Sequence, residues 1–331
     1  MYAKFAYVKK KLYFCSRFLS NRITVMWVVL AFVSALCLGF YDVSKKIALK
    51  ENGVVDVLTA SVCISSLILF VPLLLSRLTP DIMLDTPFYV PRMDTQGHLF
   101  TILKSVMVLS SWIFAYIAIK HLPISVVSPW QATRPMWTLI GALLIFGEHL
   151  NQWQWIGVIL AIGSILCFSV FSHWPSTNDQ QPTTNYKYSL ALALAILIGS
   201  CSGLYDKYMM QRYDHNAVQV YYTFYQALMM LIVWGVHTKR HPQSARPHLT
   251  RATVLPVVLI SVFLVISDNV YMLALQDPDS MIAVVSTIRR GGALIAFAYG
   301  LIFLKEKDPW KKVFCMLGIL AGLICLALGS M

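Results

Sequence analysis

The sequence predicts an all-α membrane protein, with ten transmembrane helices arranged as two five-helix inverted repeats. Three observations lead there. Of 331 residues, 58% are hydrophobic and 13% are charged, about half the charged share of an ordinary soluble domain. The apolar residues gather in runs of about 20, long enough for a helix to cross a hydrocarbon core about 30 Å thick. Finally, a set of short motifs recurs in one order in both halves of the chain.

Residues 1–24 form a basic tail with Lys4, Lys9, Lys10, Lys11, Arg17 and Arg22 and no acidic residue. The first five runs cover 25–49, 55–76, 99–120, 124–146 and 153–173, within a first repeat of 25–175. A linker, 176–187, leads to a second repeat over 188–331, with runs at 188–210, 217–238, 253–275, 281–304 and 312–330. The opening run is too long, and too charged at its end, for a cleavable leader.

Four of the five matching pairs of runs carry a mark of their own. Runs one and six share C-x-G-x-Y-D: Cys37-Leu-Gly-Phe-Tyr41-Asp42 against Cys201-Ser-Gly-Leu-Tyr205-Asp206. Runs three and eight keep the same spacing from Tyr116 to Pro123 and from Tyr271 to Pro278. Runs four and nine begin with Val126-Val127-Ser128 and Val284-Val285-Ser286 and end at Glu148 and Glu306. Runs five and ten follow Trp153 and Trp310 with Gly- and Ala-rich sequence. Five spans per half is an odd number, so the second half enters from the opposite face. Transporters built this way hold substrate near the midplane, where the repeats meet.

These features resemble the EamA-like transporters of the drug/metabolite transporter superfamily. The resemblance rests on the Tyr-to-Pro stretches, the span ends at Glu148 and Glu306, the tryptophan openings of the last span of each half, and Ser286-Thr-Ile-Arg289-Arg290 followed by small residues. It covers about residues 25–330. It implies the ten-helix fold, and leaves the substrate open among amino acids, other metabolites, nucleotide-linked compounds and drugs.

Ionisable residues inside spans are costly and usually face a partner or a wet cavity. Arg134, Asp268, Arg289 and Arg290 lie well inside apolar runs, as do Asp42 and Asp206. Aligned by their Val-Val-Ser and Glu anchors, the two halves place Arg289 opposite Gln131. Gln131 and Arg134 are three apart, hence on one face of a helix. Pro129, Pro135 and Gly291-Gly292 flank the arginines and favour interrupted helices there. The expected substrate site is therefore Arg289, Arg290, Arg134, Gln131 and Asp268, with aromatic walls from Trp130, Tyr116, Tyr271 and Tyr225. Arginine suits a carboxylate or phosphate because its planar fork donates in pairs. The competing reading is structural, with Arg289 or Arg290 paired to Asp268, Asp42 or Asp206 to lock helices together.

Asp42 and Asp206, with Tyr41, Tyr205 and Lys46, are the expected gating or coupling residues. Lys46 stands four residues after Asp42, a favourable helical pair. Asp206 has Met210 at that spacing, so it must find a partner on another helix or titrate. Inversion places the two aspartates towards opposite faces of the membrane. Gly39 and Gly203 would let neighbouring helices approach closely. Lys104 reads as a snorkelling residue at a span entrance, and Glu148 and Glu306 as solvated span ends.

The net charge of +12 is a topology signal rather than a nucleic-acid footprint, and the tail can touch anionic headgroups. A cytoplasmic N-terminus with ten spans puts the C-terminus on the same side, in a multi-pass protein of the inner or plasma membrane. Lys239, Arg240, Arg246 and Arg251 weigh against that orientation. No Cys-x-x-Cys, His-Glu-x-x-His or P-loop spacing occurs, so neither metal, cofactor nor direct ATP drive is expected. The partners expected are a small-molecule substrate, the lipid bilayer and protons as candidate coupling ion. The sequence thus points to a secondary transporter of a small polar metabolite, amino acid-like or an organic anion, and not to an enzyme. The alternatives are a membrane-embedded lipid-handling protein or enzyme, or a membrane scaffold; against an enzyme, the eight histidines are dispersed.

Overall fold

In lipid, backbone donors and acceptors must be satisfied within the protein, which a helix does from its own segment. Every regular element among the described residues is helical. The computed structural model describes residues 26–49, 52–121, 130–131, 133–172, 186–240, 251–292, 294–295 and 309–330. Ten helices of nine residues or more follow in order among them. They are α1 (Met26–Ala48), α2 (Val54–Leu78), α3 (Thr95–His121), α4 (Arg134–Ile145) and α5 (Gln152–Ser172), then α6 (Tyr186–Met210), α7 (His215–Arg240), α8 (Arg251–Gln276), α9 (Ile282–Arg290) and α10 (Pro309–Gly329). A single turn of helix, Pro80–Met83, interrupts the α2–α3 connection.

Six of these, α1, α2, α3, α6, α7 and α8, contain stretches long and apolar enough to cross a membrane. Shorter apolar helices lie at Arg134–Ile145, Gln152–Cys167 and Val313–Gly329. Parts of the expected fourth and ninth spans, 124–129 and 132 in the one and 293 and 296–304 in the other, lie outside the described residues. The chain is a multi-pass membrane protein.

Small and polar residues set the helix contacts. The broadest pairings are α5 with α10, α1 with α8, α3 with α6 and α2 with α7. Further contacts join α2 to α8, α3 to α7, α4 to α6, α1 to α9 and α4 to α9. Between α1 and α8 the hydroxyl of Ser34 donates to the Ser267 carbonyl at 2.8 Å, and that of Ser267 donates to the Ser34 carbonyl at 2.9 Å. Between α3 and α6, Ser111 donates to the Ala195 carbonyl at 2.8 Å. At the α5–α10 contact, a Cβ on Gly322 would fall 2.7 Å from the Ala161 nitrogen, so glycine is what permits that approach.

Gly39 plays the part expected of it, since a Cβ there would lie 2.6 Å from the Gly292 carbonyl oxygen. Gly203 does not. Nothing lies within 4 Å of a Cβ at that position, because Gly203 fronts an open cavity instead of a neighbouring helix.

Candidate functional site

Helices α1, α3, α4, α6, α7, α8 and α9 enclose a cavity of about 340 Å³. Its wall carries Lys45, Lys104, Arg134, Arg289 and Arg290 against Asp42, Asp206 and Asp268, a surplus of positive charge among the described residues. Its character is therefore polar and net cationic within an apolar protein.

A chain of contacts crosses this wall. Lys104 on α3 places Nζ 2.5 Å from Oδ1 of Asp206 on α6 and 4.6 Å from the centre of the Tyr222 ring. The Tyr271 hydroxyl donates to Oδ2 of the same aspartate at 3.4 Å. Over the Tyr271 ring, at 4.1 Å, lies the guanidinium of Arg289, which also forms an ion pair with Asp268. On the facing side Arg134 donates from Nη2 to the Gly199 carbonyl at 2.6 Å. A Cβ on Gly199 would lie 2.4 Å from that nitrogen, so the glycine makes room for the guanidinium.

Local structure explains the placements. Arg134 opens α4, with Pro135 in the first turn, where a missing N–H is tolerated. Arg289 and Arg290 end α9, where a cation suits the negative end of the helix dipole. Asp268 takes up Arg289, so the structural pairing weighed from the sequence is present there. Arg290 has no hydrogen bond or ion pair among the described residues, and is an exposed residue on the cavity wall. Asp42 also lines the cavity without such a partner among the described residues.

Of the expected site residues, Arg134, Arg289, Arg290, Asp268, Tyr271, Asp42, Asp206 and Tyr41 all line this one cavity. The two aspartates thus share a chamber, although their depths in sequence suggested opposite faces. Gln131 and Trp130 are not part of the wall. Gln131 is itself helical, but a turn at Thr133 separates it from α4, which begins at Arg134, so the two do not belong to one uninterrupted helix. Trp130 is 45% exposed on the outside. Tyr205 stacks on Tyr208 and donates to the Phe100 carbonyl at 3.3 Å, and Tyr225 meets His98 at 3.0 Å; neither lines the cavity. The side chains of Tyr116 and Lys46 lie outside the described residues.

Two further expectations are corrected. Lys104 is 2% exposed and not a snorkelling residue. Helix α3 starts at Thr95, four residues ahead of the expected run, and carries Lys104 about 14 Å into the helix. Its signal was present in sequence, as the sole charge between His98 and Lys120. Glu148 is no solvated end either, because its carboxylate accepts from the Ile282 nitrogen at 2.6 Å and the Ala283 nitrogen at 3.0 Å. It caps α9, whose own N-cap residue, Met281, supplies no side-chain bond. Burial pushes the Glu148 carboxyl upward, and those two N–H donors draw it back. Lys45, Trp112 and Tyr222 join the cavity unforeseen; Lys45, three residues after Asp42, carried a charge signal in sequence, whereas nothing in the spacing of Trp112 and Tyr222 separates them from packing residues.

Residues 25–170 match the model of the EamA-like transporter family. The match is confined to the first half, whereas the resemblance in sequence extends over both. No curated protein matches. A solved crystal structure, described only as that of a protein, is similar with a TM-score of 0.69 at 11% identity, covering 91% of this chain and 96% of the other. At that identity the likeness is one of fold alone.

Proposed function

We propose, from the premise that residues 25–170 belong to the EamA-like transporter family, part of the drug/metabolite transporter superfamily, that the chain is a secondary transporter of a small anionic or zwitterionic metabolite. The single observation that carries the substrate class is the cavity of about 340 Å³ with five cationic and three anionic side chains on its wall. Arg290 and Arg134 offer donors to the anionic group, and Arg289 is held for it by Asp268. An amino acid-like substrate or an organic anion fits that arrangement.

Helix pairing supports two inverted halves that move against one another. Exchange α1 to α5 with α6 to α10, and the α1–α8 pair becomes α6–α3, α4–α6 becomes α9–α1, and α2–α8 becomes α7–α3. The pairs α2–α7, α4–α9 and α5–α10 map onto themselves. Alternating access by rocking of one half against the other follows from such a plan. For coupling, Asp42 is the candidate carboxylate, since it has no ion pair among the described residues, whereas Asp206 is paired with Lys104 and Asp268 with Arg289.

The test is uptake into proteoliposomes holding the purified chain, screened over amino acids, organic anions and nucleosides. Saturable flux of an anionic or zwitterionic compound that is lost in Arg290→Ala is the expected result. Wild-type flux in Arg290→Ala would sink the arginine site. Absence of flux for every compound would favour the scaffold reading.

A further inference from the structure

Beside the main cavity lies a side chamber of about 60 Å³, which shares Tyr41, Trp112, Tyr222, Leu264 and Asp268 with it. Gln226 of α7 forms part of its wall. This side chain is 2% exposed, and neither its amide nitrogen nor its amide oxygen has a hydrogen-bond partner among the described residues. Buried polar groups are nearly always paired, and leaving them unpaired is costly. An orphaned amide at both ends marks a place built for something that both donates and accepts.

Three polar neighbours in that wall have hydrogen bonds of their own. Gln219 donates to the Val265 carbonyl at 2.7 Å and accepts from Asn269 at 2.8 Å. Thr223 donates to the Gln219 carbonyl at 2.8 Å, and Ser65 to the Ser61 carbonyl at 2.9 Å. The chamber has room for a group of a few heavy atoms, a water's share of liquid volume being about 30 Å³. The wall it shares with the main cavity includes Asp268, the partner of Arg289.

We propose that Gln226 is a specificity-determining residue that receives an uncharged donor–acceptor group, a hydroxyl or a carboxamide, carried by the transported anion. This rests on the transporter reading above and narrows its substrate class to hydroxy acids and amide-bearing amino acids. The anionic end of the same molecule meets the arginines.

The test measures ligand-induced thermal stabilisation of the purified full chain, with two matched probe pairs: lactate against propionate, and glutamine against norvaline. In at least one pair the hydroxyl or carboxamide member binds about tenfold more tightly, the scale of the hydrogen bonds gained. Gln226→Leu and the less disruptive Gln226→Met remove that preference while leaving propionate or norvaline binding as it was. Both variants also raise the ligand-free melting temperature, since each deletes two unpaired polar atoms. Equal binding within both pairs leaves the chamber to water and overturns the proposal alone. A preference that survives in Gln226→Leu and Gln226→Met also overturns it. No binding of any probe overturns it together with the anion reading.

Discussion

Lys104 Nζ and Asp206 Oδ1 lie 2.5 Å apart, joining α3 to α6 through an ion pair whose lysine is 2% exposed and whose aspartate is 12% exposed. Deleting one member strands the other charge, at a cost of roughly 3–5 kcal/mol. Lys104→Met and Asp206→Asn are therefore expected to lower the melting temperature in detergent sharply. The double variant Lys104→Met/Asp206→Leu recovers most of that loss, while uptake stays impaired.

Adjacent arginines separate structure from binding. Arg289→Ala leaves Asp268 without its partner, so both melting temperature and flux fall, and Arg289→Ala/Asp268→Ala regains stability only. Arg290→Ala, which breaks no ion pair among the described residues, keeps a melting temperature near wild type and loses flux. Equal destabilisation by the two single variants would contradict this division.

Gly199→Ala tests the seat of Arg134. The added methyl would lie 2.4 Å from Nη2, so the guanidinium must leave the Gly199 carbonyl. Apparent substrate affinity should fall about as far as in Arg134→Ala. As a control, Gly163→Ala on α5 meets nothing within 4 Å and should leave uptake unchanged, with stability equal to or up to about 1 kcal/mol above wild type.

Glu148→Ala removes the cap of α9 and should cost roughly 1 kcal/mol, read as a lower melting temperature. Glu148→Gln, which retains one acceptor oxygen, should fall between that variant and wild type.

Helical character and the identity of the buried charges were legible because charge in an apolar run needs an explanation. Arg134, Asp268, Arg289 and Arg290 declare themselves by isolation, and all four reach the cavity. What failed was depth and register. An onset four residues early turned Lys104 from a surface residue into the partner of Asp206, and Gln131 lies in helix ahead of the turn at Thr133 and off the cavity wall. Gln226 left no mark at all. Like Gln219, it is a polar residue in an amphipathic helix, and only the pairing of its neighbours distinguishes the two.

The hydrogen bonds from Ile282 and Ala283 to Glu148 have a mechanical consequence. Helix α9 has nine residues, so it spans about 13 Å, with the α4–α5 turn fastened to one end and Arg289 and Arg290 at the other. It is a short stiff lever. A shift of that turn is delivered to the cavity as a shift of two positive charges, and on the proposed transporter reading an anion bound there would pull back on the turn.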